Sequence, residues 1–135
     1  MYYKYTSGRD VKMSHLESKV VVYAEDDEFV RSAIAHYLQR RVKEVREAEN
    51  GEEGLALTRK YNPDIVITDL EMPIMNGMEM IKKIREEFGP NKPIIIITGY
   101  NDKEHYTKQA NAILYKPIDL NLLVETIEKL LLENN

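Results

Sequence analysis

Side chains able to handle phosphate recur in this chain at one kind of place, the C-terminal end of a short apolar run. Lys19–Ala24 leads into Glu25, Asp26 and Asp27, and Asp64–Thr68 leads into Asp69. Pro93–Ile97 leads into Thr98 and Gly99, and Ala112–Tyr115 into Lys116 and Pro117. A carboxylate in a strand-to-loop turn is fixed on one side and open on the other. That suits Asp69 as a nucleophile able to carry a phosphoryl group. The plainer alternative for an isolated Asp is a turn residue accepting backbone hydrogen bonds. Glu25 and Asp26 favour the first reading, because neighbouring strands would bring them close to Asp69. Two carboxylates at ~4 Å repel by ~4 kcal/mol at an effective dielectric of ~20, so the cluster requires a cation or a retained proton. Magnesium fits such a site: it takes oxygen ligands, keeps several waters and is completed by substrate phosphate. The backbone carbonyl of Glu71 is a further candidate ligand. The run Glu25–Glu28 also reads as an acidic first turn of a helix, favoured by the macrodipole, and Asp27 and Glu28 are assigned that role alone. Lys116, biased to an extended backbone by Pro117, offers a point charge for a phosphate oxygen. Thr98 offers a hydroxyl donor.

The elements that must position these groups alternate as strand and helix from Lys19 onward. After the first strand, Phe29, Val30, Ala33, Ile34, Tyr37 and Leu38 recur at helical spacing. A short polar second strand falls around Val42–Ala48. Asn50 and Glu53 have the spacing of a helix start, and Asn62-Pro63 closes that helix. Ile65–Thr68 is a continuous β-branched run, as expected of a strand buried on both faces. The loop 71–77 precedes a helix carrying Met78, Ile81, Ile84, Arg85 and Phe88, stopped by Gly89-Pro90. A fourth strand over Ile94–Ile97 is followed by a short helix within 101–111. Leu120, Leu123, Val124, Ile127, Leu130 and Leu131 form the stripe of a final helix. The alternation predicts an α/β fold: a doubly wound parallel sheet in a three-layer sandwich. All four strand ends then lie along one edge, where such folds bind ligands.

With 135 residues, 43% of them apolar and 31% charged, the chain has the composition of one globular domain. Its net charge of -4 offers no general attraction for nucleic acid or anionic lipid. There is no cysteine, which removes disulfides, thiolate zinc sites and a cysteine nucleophile and fits a reducing compartment. No apolar run approaches the ~18 residues needed to cross a bilayer, and residues 1–18 lack a signal-peptide core. The expectations are a cytoplasmic protein with no membrane insertion and no direct nucleic-acid binding. Residues 1–18, without periodicity, are expected to be a flexible leader, a remnant foreign to the domain or the tail of something larger, and 19–134 the folded domain.

Taken in order, VVVYAEDDE at the first strand, NPDIVITDLEMPIMNGMEM around Asp69, PIIIITG at the fourth and YKPID at the fifth resemble the receiver domain of two-component response regulators, including chemotaxis regulators. The resemblance implies a flavodoxin-like fold of five parallel strands in the order 2-1-3-4-5. It implies Asp69 as phospho-acceptor, with a sensor histidine kinase or histidine phosphotransfer domain as donor. Glu25, Asp26 and Asp69 would hold Mg2+ together with the Glu71 carbonyl. Lys116 would pair with Asp69 and then with the phosphate, Thr98 would be the switch hydroxyl, and Lys116–Pro117 would be cis. Such a domain is not an enzyme acting on a separate substrate; it catalyses its own phosphorylation and dephosphorylation.

The chain departs from the family pattern in one region. Only 17 residues separate Thr98 from Lys116, about one helical turn fewer than related receivers have, so the fourth helix is expected to be shortened. The aromatic that partners the switch threonine usually lies three residues before the lysine, where this chain has Ile113; Tyr115 reaches the same face if the strand keeps its register. Gly99 replaces the usual alanine, and no Gly-Ala turn precedes the fifth strand. These changes fall on the face receivers use for dimerising or signalling, so a homodimer and an unidentified protein target are the expected output partners. An interaction module that signals independently of phosphate is the alternative reading. A small magnesium-dependent phosphatase is a weaker rival, because Glu71 stands where such an enzyme needs a second Asp and there is no room for a cap domain.

Overall fold

The computed structural model describes residues 16–99 and 109–133. Five strands run β1 (Val20–Ala24), β2 (Glu44–Ala48), β3 (Ile65–Thr68), β4 (Ile94–Thr98) and β5 (Ala112–Tyr115). They form one parallel sheet in the order β2-β1-β3-β4-β5, the flavodoxin-like order expected. Helices α1 (Glu28–Gln39), α2 (Gly51–Tyr61), α3 (Gly77–Phe88) and α4 (Leu120–Glu133) complete the described elements. The helix expected within 101–111 falls largely on residues 100–108, outside the described residues, as do Met1–His15 of the expected leader.

Strand alternation sends successive side chains to opposite faces, and both faces are covered. Val21, Tyr23, Ile65, Ile67, Ile95 and Ile97 pack with Ile34, Ala35 and Leu38 of α1 and with Leu123, Ile127, Leu130 and Leu131 of α4. Val22, Ala24, Val66, Ile94 and Ile96 pack with Leu55 of α2 and with Met80, Ile81 and Ile84 of α3. This two-sided burial is why β3 and β4 read as unbroken apolar runs. β2 borders only β1, and its Glu44 and Arg46 meet as an ion pair at 2.7 Å.

Two expectations are corrected. Leu16, placed in the leader, is 1% exposed and belongs to the core beneath α1 and α4. Its carbonyl accepts from Lys19 N–H at 3.0 Å, so the packed domain includes residues before Lys19. On α1, Phe29 is 89% exposed and Ala33 is also exposed. Ile34, Ala35 and Leu38 are buried, and Val30 and Tyr37 pack partly against the core, so four of the six expected positions face inward and Ala35 joins them in place of Phe29 and Ala33.

Local capping sets the helix ends facing the strand tips. Asp27 Oδ1 accepts from Val30 N–H at 3.0 Å and Asn50 Oδ1 from Glu53 N–H at 2.9 Å. Glu53 does not close the expected box on Asn50; its carboxylate accepts from Glu49 N–H instead. A reciprocal box does form at α3, between Asn76 and Glu79. Asn62 ends α2 in the left-handed region at φ 43°.

The entry to β5, where no Gly-Ala turn exists, is made by side chains. Asn111 N–H donates to Ile94 O at 2.8 Å, and Asn111 Oδ1 accepts from Ile94 N–H at 2.8 Å. Arg85 of α3 adds bonds to Asn111 Oδ1 and to the carbonyls of Gln109, Gly89 and Lys92.

Candidate phosphoryl and metal site

β1 and β3 are neighbours with Ala24 opposite Thr68, so the next residues of each strand leave the sheet together. Asp69 N–H donates to Ala24 O at 3.0 Å and Glu25 N–H to Ala48 O at 2.9 Å. Both backbones are therefore still held by the ladder where the carboxylates begin. Carboxylate oxygens of Glu25, Asp26 and Asp69 all lie within 4.8 Å of one another, Glu25 and Asp69 buried and Asp26 exposed. Leu70 N–H holds Asp69 Oδ1 at 2.7 Å. The N-terminus of α3 presses on the same turn: Gly77 N–H donates to Leu70 O at 2.8 Å, and a Cβ on Gly77 would stand 2.1 Å from Asp69 O.

Lys116 reaches this cluster from the far side of β4. Its N–H bonds to Thr98 O at 2.9 Å, and the Lys116–Pro117 peptide is cis. Its Nζ donates to Asp69 Oδ2 at 2.9 Å and lies 3.3 Å from Glu25 Oε1. Thr98, 1% exposed, lines a pocket with Asp69, Glu71, Gly99 and Lys116. Glu71 also lines the adjoining acidic cleft, with Glu25, Asp26, Asp69 and Asn76.

Burial raises the Glu25 pKa above the ordinary carboxylate value, and the Asp69 charge adds to this; the Asp27 N–H and Lys116 oppose it. Burial works to lower the Lys116 pKa but is outweighed by Asp69 and Glu25, so the ammonium is held on more firmly than usual. Burial, then the charges of Glu25 and Asp69, push the Tyr23 phenol well up. Among the described residues three clustered carboxylates face one ammonium, which Glu25 Oε1 meets as an ion partner at 3.3 Å. An all-oxygen donor set with surplus negative charge fits a hard divalent cation.

Every residue singled out by chemistry in the sequence is thus gathered at one end of the sheet. Tyr115 keeps the strand register and lies directly opposite Thr98, with its hydroxyl buried and unpartnered. Ile113, at the position where an aromatic is usual, packs against the α2–α3 side of the core. Among the described residues nothing lies within 4 Å of where a Cβ on Gly99 would stand. The Leu70 amide and Tyr23 carry no local sequence signal for the parts they play around the cluster; the α3 N-terminus is marked by the Asn76–Glu79 spacing.

The response regulator receiver domain family profile matches residues 21–128. The chain is 30% identical over 118 residues to chemotaxis protein CheY of Halobacterium salinarum, covering 84% of this chain and 98% of that protein. It is 35% identical over 107 residues to a cyclic di-GMP phosphodiesterase of Thermotoga maritima, covering 76% of this chain but only 28% of that protein's length. The high-resolution structure of the chemotaxis response regulator CheY4 of Vibrio cholerae superposes with a TM-score of 0.75 at 29% identity, covering 84% of this chain and 98% of that one. With the strand order, the acidic cluster and the lysine reaching into it, these matches lead to one assignment: the chain belongs to the response regulator receiver domain family.

Proposed function

We propose that this domain is a phosphorylation-operated switch in two-component signalling, with Asp69 as the phospho-acceptor. The carrying observation is the pairing of Lys116 Nζ with Asp69 Oδ2 at 2.9 Å beside the buried Glu25 carboxylate. An Asp69 carboxylate oxygen attacks phosphorus as the N–P bond of a phosphohistidine breaks, and the departing imidazole nitrogen is left to take a proton from solvent. Leu70 N–H fixes the carboxylate in its turn, so the nucleophile is oriented before the donor arrives. Lys116 is placed to move from Asp69 to a transferred phosphoryl oxygen, stabilising the charge that builds there. Glu25, Asp26, Asp69 and the Glu71 carbonyl would hold Mg2+, which neutralises phosphoryl charge when bound. Thr98, on the wall of the adjoining pocket, would then turn toward the acyl phosphate and bias the surface beyond β4.

A histidine kinase or phosphotransfer domain as donor, a cytoplasmic setting and an unidentified protein target, with self-association as one output, belong to the same reading. Among the described residues no helix is long and apolar enough to cross a membrane. Intact-mass analysis after incubation with Mg2+ and a small phosphodonor tests the assignment: the wild type gains one phosphoryl group and Asp69→Asn gains none. Equal labelling of Asp69→Asn refutes it. The departures around Thr98 keep the phosphate-independent module as a second reading. If that is right, beryllium fluoride with Mg2+ leaves partner binding unchanged.

A further inference from the structure

Arg31, on α1, does not line the acidic cleft, but its guanidinium reaches the backbone of a residue that does. Its Nη1 donates to the Glu25 carbonyl at 2.7 Å, and its Nε faces Glu47 Oε1, from the end of β2, at 3.4 Å. The Arg31 side chain is 12% exposed and that of Glu47 37%. A long cation folded inward and engaged at both ends is unusual for a helix surface, where such side chains normally trail into solvent.

The oxygen that Arg31 holds belongs to the peptide unit joining Glu25 to Asp26. That unit is planar, so fixing its oxygen restricts the rotations on either side, ψ of Glu25 and φ of Asp26. Those rotations decide how the two side chains diverge, Glu25 into the buried cluster and Asp26 to its exposed rim. Glu25 is otherwise held by its own N–H on Ala48, by Asp27 N–H on its Oε2 and by Lys116 Nζ near its Oε1. None of these contacts sets the orientation of the following carbonyl.

We infer that Arg31, steadied by Glu47, is a positioning residue for the cation site: by gripping the Glu25–Asp26 peptide it sets the angle between two carboxylates that must face one ion. This rests on the reading of the acidic cluster as a Mg2+ site. A guanidinium spans the two partners because its donors are spread in a rigid fork, which a single ammonium does not reproduce.

Charge and geometry make opposite demands here, which gives the test its power. A cation near the cluster repels Mg2+, so if Arg31 acted through charge alone, removing it would tighten binding. If it acts by holding the peptide, removing it loosens binding, and a lysine that keeps the charge loses the grip. The experiment is an NMR titration of the protein with MgCl2 at constant ionic strength, following the amides of 24–27 and 69–71. Arg31→Met, Arg31→Lys and Glu47→Gln are compared with wild type, and each variant's urea stability is measured without metal.

Removal of an outer partner of a metal ligand costs roughly 10–100-fold in affinity. Arg31→Met is expected near the lower end, with Arg31→Lys and Glu47→Gln weakened several-fold. Those losses should appear even where stability matches wild type. Wild-type affinity in all three variants, or tighter binding by Arg31→Met with Arg31→Lys unchanged, overturns the inference. If Arg31→Met does not fold, the other two variants decide it. Failure of the wild type to bind Mg2+ withdraws the metal reading itself, and the role of Arg31 with it.

Discussion

Replacing Glu25 with Gln removes a negative charge from the centre of the site while keeping its shape. Three Coulomb contributions are lost together. The attraction to Lys116 at 3.3 Å amounts to ~5 kcal/mol at an effective dielectric of ~20. The repulsion from Asp69, whose oxygen lies within 4.8 Å, amounts to at least ~3.5 kcal/mol on the same basis. Asp26 is as near but exposed, so solvent screens its repulsion to a smaller amount of the same sign. Attraction and repulsion nearly cancel, with a net loss of no more than ~1.5 kcal/mol. The deciding quantity is desolvation: Glu25 is 1% exposed, and holding an ion at such a site costs several kcal/mol. Glu25→Gln should therefore stabilise the metal-free domain near neutral pH by ~1–2 kcal/mol, or ~3–8 °C in Tm for a domain of this size.

The sign of the pH dependence follows from the raised Glu25 pKa. A carboxyl whose folded-state pKa lies above its unfolded value favours the fold when neutral. That contribution is fully present below the unfolded pKa and is lost as pH rises through the folded one. The gap between variant and wild type should open as pH rises from the acid side of the ordinary carboxylate range and close again below it. Saturating Mg2+ should reverse the order, since a ligand at 100 times its Kd adds ~2.7 kcal/mol to the form that binds it. Urea unfolding with and without metal across this pH range is the assay. A variant less stable than wild type at neutral pH without metal, or a gap insensitive to pH, refutes the reasoning.

Three further perturbations probe the frame around the site. Leu16→Ala should cost ~2–4 kcal/mol in urea unfolding, because Leu16 is core and not leader. Gly77→Ala should cost at least ~3 kcal/mol, since its Cβ would collide with the Asp69 carbonyl at 2.1 Å, and phosphoryl uptake should fall with it. Arg85→Ala, which removes bonds to Gln109, Asn111, Gly89 and Lys92, should destabilise by ~2–3 kcal/mol and speed amide exchange at Ile94 and Asn111 more than at Val22.

Strands buried on both faces announce themselves as β-branched runs, so β1, β3 and β4 and the residues that follow them were legible without coordinates. So was the clustering of Glu25, Asp26, Asp69 and Lys116, because a parallel sheet places every strand end on one edge. Phe29 and Ala33 belong to a stripe of six positions at helical spacing, of which Val30, Ile34, Tyr37 and Leu38 pack inward. Periodicity does not say which edge of such a stripe is left to solvent; packing does. Leu16 gives no periodic signal, since one apolar residue before a strand looks the same whether or not it folds inward. Arg31, Arg85 and Asn111 were opaque for a different reason. Their partners lie on other elements, and surface-type residues disclose such bonds only once the chain has closed.

The side-chain stitching of β5 has a consequence for how such a domain can change over generations. Asn111 and Arg85 fix where the chain re-enters the sheet, and β4 ends at Thr98. A strand whose starting register is set by a carboxamide and a guanidinium keeps that register when the residues before it are exchanged. Substitutions in the span 100–108 therefore carry no duty of aligning β5, and Lys116 keeps its place beside Asp69. The alignment of the last strand and the composition of the segment before it are heritable traits that can drift apart.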